Sequence, residues 1–268
     1  MKIKGGEFIV IDLESIINED KLKYSLYVED LKTNKIIFDI NSDAEVTSAS
    51  MIKIFIMAEA YSQISKDEFM SQKIVNIDRD NIVGGSLIKN LSNYCYSIKD
   101  LIFLMMNLSD NTATNQLVDI LRIENINKFI NEEGLKNTVI NRKMMDFERK
   151  KQGFDNITSA SDVAHILKKI YYKDLIDTDA SVNMMNIMKK QMDNRMMARN
   201  IDKSNTKIHH KTGNIPYTNH DAGIVIFKDV EYLFVMLTWD GVDNIYGRKV
   251  IGEVSEKIYN DFLKSYGY

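Results

Sequence analysis

Cysteine is nearly absent from this chain, because Cys95 is the only one among 268 residues. A single cysteine excludes an intrachain disulfide, and Cys and His are nowhere clustered at the spacing of a zinc site. We therefore expect no metal and no other cofactor.

Charge of one sign and long apolar runs are also missing. The 35 Lys and Arg residues against 38 Asp and Glu give a net charge of -3, which argues against a nucleic-acid or anionic-membrane partner. The run Phe8-Ile9-Val10-Ile11 is interrupted by Asp12 and is too short for a secretion signal or a membrane span. As written, the chain is expected to be a cytoplasmic monomer, whereas a secreted chain whose leader was trimmed would look the same.

The hydrophobic content of 44% allows a substantial core, in one large domain or two lobes. Alternating apolar residues predict strands, and apolar residues at helical spacing predict helices. The predicted strands are 23–31, 36–40, 207–212, 221–227 and 232–239. The predicted helices are 14–20, 97–107, 112–122, 159–172, 182–192 and 248–262.

This order of elements predicts an α+β fold. Strands from both ends of the chain can join one five-stranded antiparallel sheet, flanked by N- and C-terminal helices. Residues 1–47 and 199–268 would form this sheet lobe, and residues 48–198 a helical lobe. We expect the active site in the cleft between the lobes.

Ser50 opens a run of good helix formers whose first half is apolar on nearly every side, as in a buried helix. Lys53 lies in this run, where a lysine is rarely found unpaired. The two residues are three apart and share a helical face. A buried amine can be pushed towards neutrality and accept the proton of the hydroxyl, which would make Ser50 a nucleophile.

The Ser-x-x-Lys spacing alone is weak, since it recurs at Ser86 and at Ser204, where we interpret it as coincidence. Two further motifs accompany it at Ser50. Ser109-Asp110-Asn111 falls between two predicted helices, and Lys211-Thr212-Gly213 ends a predicted strand. In isolation, the first would be a helix cap and the second a strand end with a turn glycine.

Taken together and in this order, the three motifs resemble the S-x-x-K, S-D-N and K-T-G set of class A β-lactamases and penicillin-binding proteins. The stretch 96–115 is similar to the class A family beyond the motif itself. The resemblance extends over essentially the whole chain and implies a β-lactamase/transpeptidase-like fold.

The resemblance implies a role for each matching residue. Ser50 would attack the carbonyl of a β-lactam or of a D-alanyl peptide. Lys53 would deprotonate Ser50 directly or through water, and Ser109 would relay a proton to the leaving nitrogen. Backbone N–H groups of Ser50 and Asn214 would form the oxyanion hole.

Substrate binding is implied for the remaining motif residues. Asn111 would hydrogen-bond the amide side chain of the substrate. Lys211 would hold Ser109 and the substrate carboxylate, which Thr212 would also bind, and Gly213 completes the motif.

The match fails where class A enzymes carry a Glu-x-x-Leu-Asn stretch that activates the deacylating water. Residues 141–156 contain no such stretch, and gapless counting places the base position near Lys143. Asp146 and Glu148 are the nearby carboxylates, which we interpret as solvated, with Glu148 the better candidate base. His220 either lines the pocket mouth as an acid or base, or is an ordinary polar residue at a strand start.

Three hypotheses follow. The chain is a β-lactamase that opens β-lactams through a Ser50 acyl-enzyme. Alternatively, it is a slowly deacylating enzyme that resembles a D-Ala-D-Ala carboxypeptidase or an esterase. The third alternative is a module that binds or senses β-lactams or cell-wall fragments without turnover.

Overall fold

The structure is a computed structural model, and it describes residues 13–268. The short apolar run at residues 8–11 lies outside the described residues. The strands in chain order are β1 (Lys23–Asp30), β2 (Lys35–Ile40), β3 (Val46–Thr47), β4 (Ile74–Asn76), β5 (Cys95–Ser97), β6 (Ile157–Thr158), β7 (Lys207–Ile215), β8 (Thr218–Phe227) and β9 (Val230–Trp239). The helices are α1 (Ile52–Lys66), α2 (Ile98–Asn107), α3 (Asn111–Leu121), α4 (Ile123–Glu132), α5 (Phe147–Lys151), α6 (Ala160–Tyr172), α7 (Thr178–Met188) and α8 (Asn244–Ser265).

The predicted five-stranded antiparallel sheet is confirmed, with strand order β2-β1-β9-β8-β7. Each face of the sheet has its own hydrophobic core. Tyr24, Leu26 and Val28 alternate along β1 and join the core that includes residues of α8, whereas Tyr27 joins the core of the helices that follow β3. This alternation is the period of two expected for a strand buried on both faces.

The predicted helix over residues 14–20 is wrong, because this segment forms turns. Leu13 and Ile17 are buried, and the N–H of Ile17 donates to the carbonyl of Leu13 in a single turn. The side-chain oxygen of Asn18 then accepts the N–H of Asp20 at 3.0 Å, a local turn that competes with a further helical bond.

Side-chain caps set the helix ends. The capping box predicted at Ser97 is confirmed, because Ser97 and Asp100 bond each other's backbone N–H groups. Helix α7 begins four residues earlier than predicted, at Thr178, because the Asp177 carboxylate caps it by accepting the N–H of Ala180. It also ends at Met188 rather than at residue 192, which leaves the following residues free to form part of the site.

The sheet is built from the two ends of the described chain, and helices α1 to α7 come from the segment between them. The lobe boundaries at residues 47/48 and 198/199 stay a prediction. None of the helices within residues 13–268 combines the length and hydropathy needed to cross a bilayer.

Candidate active site

Ser50 lies in a single 3-10 turn, Ala49–Met51, between β3 and α1. Ala49 has φ 44°, a left-handed conformation that is uncommon for a residue with a side chain. The turn is held by the N–H of Ser48, which donates to the carbonyl of Asn156 at 2.8 Å. A strained backbone beside Ser50 is typical of a functional position.

Lys53 is fully buried in the first turn of α1. Its Nζ donates to the carbonyl of Ser109 at 2.7 Å, to Ser109 Oγ at 3.1 Å and to Asn111 Oδ1 at 2.9 Å. Burial and the nearby charge of Lys211 lower the pKa of Lys53 well below the usual lysine value, and Asp110 opposes this shift. These are the conditions under which the amine can act as a base.

Ser109 links the nucleophile to the lysines. Its Oγ donates to Ser50 Oγ at 2.8 Å and accepts from Nζ of Lys53 and of Lys211, each at 3.1 Å. Ser109 itself has φ 54°, so two residues around the site have left-handed backbones. The connection from Ser50 to Lys53 therefore runs through Ser109 rather than through a direct hydrogen bond.

Asp110, the middle residue of the second motif, is fully buried and caps α3 by accepting the N–H of Ala113. It also accepts the hydroxyl of Ser86 and the N–H groups of Leu87 and Ile88. The carboxylate thus fixes the 84–88 loop against the start of α3. Ser86, whose Ser-x-x-Lys spacing we interpreted as coincidence, has a structural role here.

Asn111 is held by the same loop. Its Nδ2 donates to the carbonyl of Gly84 at 2.9 Å, while its Oδ1 accepts from Lys53. Gly85 has φ +68°, and a Cβ there would lie 2.6 Å from Asn111 Nδ2. Glycine is therefore required at this position both for the backbone conformation and for the space beside Asn111.

The third motif lies on β7, one of the two edge strands of the five-stranded sheet. Lys211 is fully buried, and its Nζ donates to Ser109 Oγ and to the carbonyl of Thr212, the latter at 2.7 Å. Burial lowers the pKa of Lys211 to about 8, against the opposing charges of Asp221 and Asp193.

Gly213 allows β7 to approach the nucleophile closely. A Cβ at this position would lie 3.1 Å from the backbone N of Ser50 and 3.3 Å from Ala49 Cβ. The next residue, Asn214, also faces the cleft. Because β7 pairs with β8 on one side only, its other edge leaves backbone groups available to a substrate.

These side chains surround a cleft of about 560 Å³. The residues lining it are Ser50, Gly85, Asn107, Leu108, Ser109, Asn111, Gln191, Met192, Asp193, Asn194, Arg195, Thr212 and Asn214. The structure therefore brings together the three motifs that the sequence analysis singled out.

One wall of the cleft, residues 191–195, was missed by the sequence analysis. Gln191 shapes it: its Oε1 accepts the N–H groups of Met192 and Asp193, and its Nε2 donates to the carbonyl of Met106. Arg195 Nε pairs with Asp193 at 2.8 Å. No motif marks this wall in the sequence, where its first two residues were taken for a helix end.

Comparison with known proteins agrees with this geometry. A family model described as "Beta-lactamase enzyme family" matches residues 10–262. The chain belongs to this β-lactamase enzyme family. A search of curated protein sequences found no match.

Solved structures of β-lactamase-family type share the fold. PBP-A is 25% identical with a TM-score of 0.84, and the match covers 94% of both chains. A β-lactamase from Sphaerobacter thermophilus is 20% identical, covers 93% of both chains and has a TM-score of 0.83. The extended-spectrum β-lactamase TLA-1 is 16% identical, with a TM-score of 0.85 over 94% of this chain and 96% of its own. The family and the fold identify a serine β-lactamase-like acyl-transfer enzyme.

The 141–156 loop of this β-lactamase-family protein is fixed by Arg142, which pairs with Asp155 at 2.6 Å, and by Asn156, which accepts the N–H of Asn141. Lys143, at the counted base position, instead pairs with Asp119. Of the residues that line the cleft in the described part of the chain, none comes from this loop.

The two carboxylates of the loop face other partners. Glu148 has a side chain 78% exposed and pairs with Lys151 at 2.8 Å. Asp146 caps α5 by accepting the N–H of Arg149. Glu148 is thus exposed, as its interpretation as a solvated charge expects, whereas Asp146 has a capping role that this interpretation did not include.

His220 does not line the cleft, so the first of its two interpretations, an acid or base at the cleft mouth, is wrong. Its side chain is fully buried on β8, opposite Gly213 in the strand register. Nε2 lies 2.9 Å from the carbonyl of Thr47, to which it donates, and Nδ1 can then accept the N–H of Thr238. Burial lowers the pKa of His220, which favours this neutral form holding β3 against the sheet.

Proposed function

We propose that Ser50 is acylated by β-lactams and by D-alanyl peptides, because both present an amide carbonyl that Ser50 can attack. We further propose that the acyl group is released slowly. The observation that carries the proposal is the hydrogen-bonded path from Ser50 through Ser109 to a buried lysine of lowered pKa. Such a path makes a weakly acidic hydroxyl nucleophilic.

In the acylation step, the hydroxyl hydrogens first turn, so that Ser50 donates to Ser109 Oγ and Ser109 donates to the lone pair of neutral Lys53 across the same two contacts. Ser50 Oγ then bonds to the carbonyl carbon while its proton passes to Ser109, whose own proton moves to Lys53. The carbonyl oxygen becomes an oxyanion that the N–H groups of Ser50 and Asn214 would stabilise. When the intermediate collapses, the C–N bond breaks and the proton returns through Ser109 to the leaving nitrogen. Lys53 ends the step neutral again.

The substrate would be oriented by charge and by hydrogen bonds. Lys211, beneath the cleft, attracts a substrate carboxylate, and Thr212 at the cleft surface can donate its hydroxyl to it. Asn111 retains one Nδ2 proton, beside the one it donates to Gly84, with which it can bind a substrate amide oxygen. This arrangement favours an anionic acyl donor with an amide side chain.

Slow deacylation is inferred from the loop. Hydrolysis of an acyl-enzyme requires a base that activates water beside the acyl carbonyl. No carboxylate of residues 141–156 lines the cleft, and the one lining carboxylate in the described chain, Asp193, is bound to Arg195. PBP-A, 26% identical in a variant form, has been solved as an acyl-enzyme complex with penicillin G.

A β-lactamase with rapid turnover is the second candidate, favoured by the family match. It would need a deacylating base other than the carboxylates of the loop.

Labelling with a fluorescent penicillin and turnover of a chromogenic cephalosporin separate these functions, with Ser50→Ala as the control. The proposal predicts labelling of the wild type, no labelling of Ser50→Ala and little cephalosporin turnover. Sustained turnover that depends on Ser50 would support the second candidate. If neither labelling nor turnover is seen, acylation of Ser50 is contradicted. The same result would contradict the hypothesis of a sensor that is acylated on Ser50.

A further inference from the structure

A second cavity, the α2–α7 cavity, lies apart from the active-site cleft. Its volume is about 700 Å³, and its lining includes Tyr61 of α1, Lys99 and Phe103 of α2, and Ile187 and Lys190 from α7 and the turn after it. None of its lining residues belongs to the active-site cleft. A cavity of this volume is large enough to hold a small molecule.

The hydroxyl of Tyr61 has no partner in the protein. Tyr61 is only 7% exposed and lines the cavity, yet no group within residues 13–268 forms a hydrogen bond with its hydroxyl. Buried tyrosine hydroxyls usually have such a partner. Burial raises the pKa of Tyr61 to about 12, so the hydroxyl is protonated at neutral pH and can donate. A ligand oxygen in the cavity would supply the missing acceptor.

The lining of the cavity carries an excess of positive charge. Lys99, Lys189 and Lys190 are exposed, and none of them pairs with a carboxylate in the described chain. Asp100 is the acidic residue among those that line the cavity in the described chain, and its Oδ2 is already bound by the N–H and the hydroxyl of Ser97. The three ammonium groups are therefore available to an anion.

Phe103 and Ile187 give the cavity an apolar wall. Phe103 is 37% exposed, and the Nζ of Lys190 lies 5.7 Å from the centroid of its ring. This cation–π contact keeps an ammonium group beside the apolar wall. A ligand could therefore pack an apolar body on the wall while its anionic group reaches the lysines.

We propose that the α2–α7 cavity binds a small organic phosphate, with the phosphate held by the lysines and the Tyr61 hydroxyl and the apolar body packed on Phe103 and Ile187. Separate ammonium groups act as point charges that suit a multiply charged phosphate, whereas a carboxylate is matched best by the fork of an arginine. None of the described residues that line the cavity is an arginine. The proposal does not rest on the proposed function, because it involves neither Ser50 nor the cleft.

The test uses phenyl phosphate as the probe, titrated into the ¹⁵N-labelled full-length protein and followed by NMR. The amide signals of residues 99–103 and 183–190 should shift saturably, with a dissociation constant of about 1 mM or tighter. Inorganic phosphate lacks the apolar body and phenol lacks the charge. Each should bind at least about fivefold more weakly than phenyl phosphate, because each makes only part of the contacts.

Variants of the lining residues show whether these contacts bind the probe. Tyr61→Phe removes only the hydroxyl and should weaken phenyl phosphate binding about tenfold, because a hydrogen bond to a charged group is lost. Lys99→Gln and Lys190→Gln should each weaken it several-fold, and both replace exposed side chains whose loss leaves the fold intact. Lys136→Gln, which removes an exposed lysine outside the cavity, should leave the affinity unchanged.

Three results would overturn the proposal. The first is the absence of a saturable shift at residues 99–103 and 183–190 with phenyl phosphate up to about 10 mM. The second is an unchanged affinity in Tyr61→Phe and Lys190→Gln, or an equal loss in Lys136→Gln, which would indicate diffuse attraction to surface lysines. The third is inorganic phosphate binding as tightly as phenyl phosphate, since the apolar wall would then contribute nothing.

Discussion

Replacing Lys211 with methionine should remove a pH dependence from the stability of the fold. Burial lowers the pKa of Lys211 from 10.5 to about 8. Between these values the unfolded chain binds a proton that the folded chain has lost, so the free energy of unfolding rises with pH in this window. Below pH 8 both states are protonated, and the full cost of the buried charge is present.

The size of the effect follows from the same shift. A fall from 10.5 to about 8 corresponds to roughly 3 kcal/mol, of which about 2–3 kcal/mol should be recovered between pH 7 and pH 10. Methionine removes the charge but also leaves Ser109 Oγ and the Thr212 carbonyl without this donor, a loss of about 1–3 kcal/mol. These terms are similar in size, so the sign of the stability change at pH 7 is not diagnostic, whereas its pH dependence is.

Urea denaturation at pH 7 and pH 10, followed by circular dichroism, measures the effect. The stability of the wild type minus that of Lys211→Met should increase by about 2–3 kcal/mol across this range. Several tyrosines have raised pKa values and will themselves titrate in the unfolded chain near pH 10, but their contribution cancels in the difference. A difference that stays constant from pH 7 to pH 10 would refute a buried lysine of lowered pKa at this position.

Three further substitutions test separate parts of the site. Lys53→Met should slow penicillin acylation by about 10²–10⁴-fold, because the proton acceptor is lost, and a loss below tenfold in stopped-flow labelling would argue against Lys53 as the base. Gly213→Ala should slow acylation at least about tenfold, since the new Cβ would lie 3.1 Å from the Ser50 backbone N of the oxyanion hole. An unchanged labelling rate in this variant would contradict the prediction, because β7 would then shift away from Ser50 without disturbing the oxyanion hole. Glu148→Gln should leave the rate of adduct release unchanged, because this exposed side chain pairs with Lys151, whereas slower release would identify Glu148 as a deacylation base.

The features that the sequence predicted are those encoded over short stretches. The spacing of Ser50 and Lys53 is set by one helical turn, and the capping box at Ser97 is complete within four residues. Strands β8 and β9 were predicted over their largely apolar parts, 221–227 and 232–239, whereas the polar start of β8 at residues 218–220 was not included. The resemblance of the three motifs to a known family then predicted that these separate stretches come together at one site in the folded chain.

The features that were missed depend on residues far apart in the chain. The two interpretations of His220 stayed open because its position at a strand start does not tell which face it occupies, and in the folded chain its Nε2 lies against the carbonyl of Thr47. The 191–195 wall is shaped by Gln191, which follows α7 and donates a hydrogen bond to the carbonyl of Met106 on α2.

The most direct test of acylation at Ser50 with slow release is the intact mass of the protein over time. Wild-type protein incubated with benzylpenicillin and freed of excess ligand should carry one added penicillin, and peptide mapping should place it on Ser50. The adduct should persist over many minutes, and Ser50→Ala should show none. An unmodified wild type, or an adduct of equal yield on Ser50→Ala, would contradict the account.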